Sequence, residues 1–205
     1  MRKQQRGITI VELLVASVVL GLLGLLTVAL FRTGASGWKK LEAQSTMLAD
    51  YEVLTAKISK EVQRSVVASV DIDSPGVNGP TLSFLSAMDN NGVFALDTTT
   101  FKPRWQKYLI FYFDQANRKL YLNEVELIPG SPEADAPEPL PSYDAFTGNI
   151  EDYRNGGRLL MTDLDTCTFT LNNSLIEVEV SGTRKRYGDE KPEKLHMICR
   201  AAFRN

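Results

Sequence analysis

The sequence predicts an α+β protein: one long N-terminal helix, membrane-spanning in its first half, packed on an antiparallel β-sheet. Three observations predict it. Residues 8–31 (ITIVELLVASVVLGLLGLLTVALF) are almost wholly apolar, with Glu12 the only charge. Apolar residues then recur at helical spacing as far as Val66, and no proline occurs before Pro75. Beyond that, short β-branched and aromatic runs follow one another across turn-like segments.

The chain of 205 residues has room for one soluble domain plus an anchor. Residues 1–7 form a short leader carrying Arg2, Lys3 and Arg6. From Leu13 to Phe31 no residue is charged, and at ~1.5 Å per residue this helix crosses the roughly 30 Å hydrocarbon core of a bilayer. The preceding positives keep the tip cytoplasmic and send the rest across. An ordinary secretory signal has an apolar region of only about 7–15 residues and a small-residue cleavage site after it, which this run does not fit. Arg32, Lys39 and Lys40 follow the run, and their clustering works against the orientation set by the leader.

Membrane anchoring alone does not explain Glu12. A carboxylate near the bilayer interior must meet a cation, take up a proton or reach the interface, because leaving it unpaired costs several kcal/mol. The stretch RGITIVELLVA resembles the class III signal of type IV prepilins and type II secretion pseudopilins. The resemblance implies that a prepilin peptidase cuts between Gly7 and Ile8 and that Ile8 becomes the N-methylated first residue. Glu12 then takes the fifth mature position, where the family carries its Glu, and Thr9 the second. Cutting on the cytoplasmic side leaves the anchor in the mature chain and creates an α-amino group beside the membrane. A neighbouring subunit's Glu pairs with such an amine, which offsets the desolvation of both charges.

Residues 32–68 read as the soluble half of the long helix. Trp38, Leu41, Leu48, Tyr51, Leu54, Ile58 and Val62 form its stripe. Gly34 and Gly37 are weak points, so either one helix or two with a joint there fits, ending near Ser65–Ala68. Residues 69–205 read as an antiparallel β domain. TLSFLSA (81–87) opens it. KYLIFYF (107–113) and KLYLNEVEL (119–127) flank DQANR as a hairpin, and CTFTL (167–171) and LIEVEV (175–180) flank Asn172–Ser174 as another. LHMICRAAF (195–203) is the last strand. Residues 129–157 are proline-rich and acidic, which predicts a solvated, partly mobile insertion, with a partner-binding loop as the alternative. Residues 181–194 predict a charged hairpin loop.

The function classes narrow accordingly. Lys plus Arg is 23 against 25 for Asp plus Glu, and three of the positives lie in the leader, so the body offers no basic stripe for nucleic acid. Cys167 and Cys199 share no metal-ligand spacing, and with the single His196 they provide neither a zinc site nor a catalytic constellation. We therefore expect a non-enzyme without a cofactor. Both cysteines fall on the apolar face of their strands, where either a disulfide or two buried thiols fits; His196 falls on the opposite, polar face.

The body resembles minor subunits of the same family. LTAKISKEVQRSVVAS resembles the helix end, and YLIFYFDQANRKLYLNE the central hairpin, of W-type minor pilins and J-type minor pseudopilins, as does the terminal Phe-Arg-Asn. Because Glu12 is kept, the chain does not resemble the K-type tip subunit. The resemblance implies a subunit that helps start or cap a type IV pilus or a type II secretion pseudopilus. Its partners are then major and minor pilins, the prepilin peptidase and the inner-membrane assembly platform. It sits in the inner membrane as a single-pass protein with its C-terminal domain outside the cytoplasm. A DNA-binding minor pilin of an uptake pilus, and a bitopic protein with an enzymatic outer domain, are the alternatives.

Overall fold

In this computed structural model, residues 9–73, 78–89, 91–130, 134–143, 145–184 and 192–204 are described. The chain divides into two compact units, Met1–Gln44 and Ser45–Asn205. Helix α1 (Ile10–Val62) is continuous, so Gly34 and Gly37 do not break it. Each glycine costs about 1 kcal/mol relative to alanine, and the Leu- and Ala-rich turns on either side outweigh that.

In the first unit the helix has no core of its own. From Ile10 to Leu41 its large apolar side chains are exposed, Leu30 and Phe31 at 73% and 75%. Its window of highest hydropathy is long and apolar enough to cross a membrane.

In the second unit the helix becomes one-sided. Met47, Leu54, Ile58 and Val62 are buried, spaced by whole helical turns. It ends at Val62, short of the Ser65–Ala68 expected. There Arg64 N donates to Glu61 O (3.1 Å) and Ser65 N to Val62 O (3.1 Å), which tightens the chain into 3-10 geometry, and a 3-10 turn follows at Val67–Ser69.

Eight strands follow: β1 (Asp71–Asp73), β2 (Thr81–Ser86), β3 (Lys107–Asp114), β4 (Lys119–Glu126), β5 (Arg158–Met161), β6 (Leu164–Asn172), β7 (Leu175–Arg184) and β8 (Glu193–Ala202). The six expected strands are present, and β1 and β5 are additional. They form two antiparallel sheets rather than one, β1-β2-β3-β4-β5 and β6-β7-β8. Both expected hairpins form. Asp114 closes the first turn by accepting from Asn117 N (3.0 Å), and Asn173 closes the second in the left-handed region (φ 57°), which asparagine tolerates. The tip of the 181–194 loop lies outside the described residues.

The helix and both sheets share one core. Leu54, Ile58 and Val62 meet Phe84, Phe111 and Leu122 of the first sheet and Phe169, Val178 and Cys199 of the second. Strand β3 is buried from Lys107 to Phe113, which an alternating strand cannot be unless both faces are covered. Leu109, Phe111 and Phe113 face the helix. Tyr108, Ile110 and Tyr112 belong to a second core with Leu140 and Tyr143.

That second core corrects the expectation for residues 129–157. The described part of this segment is a strap pinned to the sheet by a few buried side chains, while most of its other residues stay exposed. Leu140 is fully buried, and Tyr143 packs on Tyr108 with ring centroids 5.6 Å apart. Tyr108 OH donates to Glu138 O (2.8 Å), and Asn123 Nδ2 to Tyr153 O (2.7 Å). Arg154 anchors the far end, donating to Gly79 O (2.8 Å), Phe113 O (2.8 Å) and Asn78 O while lying over the Tyr112 ring. Gly79 must be glycine here: its φ is +83°, and a Cβ would stand 2.4 Å from Phe113 O.

Candidate functional site at the helix N-terminus

Helix α1 starts on a reciprocal cap. Thr9 N and Thr9 Oγ1 both donate to Glu12 Oε2 (3.0 and 3.1 Å), and Glu12 N donates back to Thr9 Oγ1 (3.3 Å). The first helical bond, Leu13 N to Thr9 O, is 3.2 Å. This is the Thr-x-x-Glu capping box, which satisfies amides that the start of a helix otherwise leaves without partners. In an apolar medium those amides have no water to turn to, so the cap matters more there than on a soluble surface. The carboxylate also lies at the positive end of the helix dipole.

The cap uses one oxygen twice. Glu12 Oε2 accepts both bonds, and among the described residues Oε1 accepts none. Around it Ile10, Val11, Leu13 and Leu14 are exposed and apolar. The site is therefore a carboxylate held at a fixed place on an exposed apolar helix, with one oxygen that accepts no bond from another described residue. Gly7 and Ile8 lie outside the described residues.

Residues 2–28 match the prokaryotic N-terminal methylation motif. The match indicates a protein of the type IV pilin or pseudopilin class. It takes in Gly7, Ile8, Thr9 and Glu12 together with most of the apolar run, and the prepilin signal implies processing by a prepilin peptidase and assembly with other pilins. No curated protein and no solved structure matches the chain.

Sequence reasoning placed Glu12 on charge pairing alone and treated Thr9 only as a common residue at its position. Its capping role was written in the spacing of Thr9-Ile10-Val11-Glu12.

The disulfide considered for Cys167 and Cys199 is not formed; both are free, buried thiols. Cys167 pairs across to Val180 and Cys199 to Val178, so β7 runs between them. Two interstrand spacings amount to about 9–10 Å, beyond the roughly 7 Å that a disulfide spans between Cα atoms. Burial pushes the Cys167 thiol pKa far up, which keeps it protonated and unreactive. His196 is exposed on the outer face, as its strand parity implies, with Nε2 2.6 Å from Glu179 Oε1.

A second polar group went unread. Lys57 Nζ lies 3.0 Å from Glu61 Oε1, Ser86 Oγ donates to Glu61 Oε2 (3.3 Å), and Lys107 pairs with Glu124 beside a small cavity also lined by Lys60 and Asp89. The sequence signal was a lysine at a core-facing position of β3. In each of these two ion pairs one partner is buried and the other partly exposed, and the opposite charge offsets desolvation of the buried one.

Proposed function

We propose that the chain is a minor pilin or pseudopilin, a structural subunit that helps start or cap assembly of a type IV pilus or a type II secretion pseudopilus. The observation that carries this is Glu12, capped at the start of an exposed apolar helix within a matched methylation motif. The peptidase cuts between Gly7 and Ile8 and methylates Ile8. The anchor stays in the inner membrane as a single span, with the second unit outside the cytoplasm, and the new amine of one subunit meets Glu12 Oε1 of the next. The helix end and central hairpin, which resemble those of minor subunits, support the minor role. The role is mechanical rather than enzymatic, and the polar clusters of the second unit serve as structural ion pairs.

N-terminal mass spectrometry of the protein from cells with an intact prepilin peptidase tests the processing. A methylated Ile8 is expected, and an unprocessed Met1 sinks the proposal. Glu12→Ala is expected to insert in the membrane and to be lost from assembled filaments; normal incorporation would remove the pairing argument.

A further inference from the structure

The strap ends on a polar cavity that the assembly role leaves unused. Its volume is about 190 Å³, and three separate segments wall it. Asn78 lies on the approach to β2, Tyr112 and Asp114 at the end of β3, and Glu151, Arg154 and Asn155 at the end of the strap.

The walls are held in place. The Arg154 side chain, only 6% exposed, ties two of the segments to the third by donating to Asn78 O, Gly79 O and Phe113 O. Tyr112 OH donates to Gly156 O, which fixes the turn after Asn155. Gly157 (φ +93°) lets that turn approach β4, where a Cβ would stand 2.7 Å from Leu122 O.

Three polar groups on the wall are left over. Glu151 Oε1 is buried and accepts no hydrogen bond; its ion-pair partner Arg154 Nη1 stands 3.7 Å away and donates to Gly79 O instead. A buried acceptor without a donor is costly, so a ligand that brings a donor is favoured there. Asn78 and Asn155 are exposed, and among the described residues their side-chain amides have no hydrogen-bond partner. Asp114, by contrast, is spent: its oxygens accept from Asn117 N (3.0 Å) and Asn117 Nδ2 (2.7 Å).

The leftover set calls for a ligand that donates to a carboxylate oxygen and both donates to and accepts from amides, which a hydroxyl group does. An anion would meet Glu151 and Asp114, and a cation would meet Arg154, so a neutral ligand suits the wall best. At ~30 Å³ per water the space equals roughly six waters, about the size of one sugar ring.

We propose that this cavity binds a single neutral sugar ring, with one hydroxyl donating to Glu151 Oε1 and its neighbours bonding the amides of Asn78 and Asn155. The site is separate from the helix start and does not depend on the assembly role.

The test uses the full chain in a polyoxyethylene detergent, which has no sugar headgroup. Glucose, galactose and N-acetylglucosamine are titrated in and followed by saturation-transfer NMR. At least one should bind with a Kd on the order of 1–10 mM, as a ligand of few atoms allows. Glu151→Gln should weaken binding about tenfold, because a neutral acceptor replaces a charged one. Asn78→Ala/Asn155→Ala should also weaken it by about tenfold while leaving denaturant unfolding unchanged, since both residues are exposed. Thr168→Ala, on the outer face of the second sheet, should bind as wild type. Binding of none of the three sugars, or undiminished binding by the Asn78→Ala/Asn155→Ala chain, overturns the site. Binding of methylammonium or calcium ion in place of sugar overturns the choice of a neutral ligand.

Discussion

From Ile10 to Leu41, α1 leaves leucines, valines and phenylalanine uncovered, while from Met47 to Val62 the same helix buries four apolar side chains completely or nearly so. The backbone is equally regular in both stretches. What differs is the arrangement of apolar residues around the axis: all round in the first stretch, one stripe in the second. A one-sided helix finds its apolar partners in its own chain, in the core it shares with both sheets. An all-round helix cannot, and takes them from a bilayer or from other helices. The charged residues follow the same division. Glu61 has Lys57 beside it, whereas among the described residues Glu12 has only its own cap.

The largest effect that would break this comparison comes from paired truncations. Ile58→Ala removes a fully buried side chain, and a loss of about 2–5 kcal/mol is expected in denaturant unfolding of the detergent-solubilised chain. Val28→Ala, in the exposed stretch, should leave that transition in place. Equal losses would mean that the two stretches are stabilised alike. Next comes Leu140→Ala. If the strap is part of the core, the cost is about 2 kcal/mol or more, toward the low end because a loop relaxes into the cavity. A loss near zero would return the segment to a solvated loop.

A smaller effect sharpens the first stretch. Thr9→Ala should cost about 1 kcal/mol of local helix stability, seen as faster amide exchange of the first turn with the helix around Ile58 unchanged. Smallest is a pH effect in the second unit. Asp97 accepts from Thr100 N (2.6 Å), Thr99 N (2.8 Å) and Thr100 Oγ1 (2.9 Å), and these bonds hold its pKa below the usual carboxylate value. Its folded pKa is thus lower than its unfolded one. The contribution is fully present above the unfolded pKa of about 4 and is lost as pH falls through the lower folded value. Amide protection of Thr99 and Thr100 should therefore fall below about pH 4; protection that persists through acid would show that the carboxylate does not order this loop.

Much of the fold was legible because periodicity is a local signal. The helix declared itself by its apolar run and stripe, and six strands by short β-branched and aromatic runs between turns. Strand β1 was not legible: it is three residues long, two of them aspartates, and exists only because β2 lies beside it. The strap hid because its anchors, Leu140, Tyr143 and Tyr153, are scattered among prolines and acids, and composition outweighed them. The cysteines show the limit most directly. Strand parity tells which face a residue takes, and both do lie in the core; it does not tell which strand comes next. Placing β7 between them needed the sheet order. At the helix start the motif was legible as chemistry, while the capping geometry that holds Glu12 followed from a spacing rule on the same four residues.

The strap over β3 has a consequence in time as well as in space. Strands β3 and β4 are adjacent in the chain and close a short hairpin, a microsecond event. The strap's Leu140 and Tyr143 come later and must return over a longer loop, which is slower. Until they do, Tyr108, Ile110 and Tyr112 form a bare aromatic face on a paired hairpin. Strap closure is therefore the step that takes this face out of solvent.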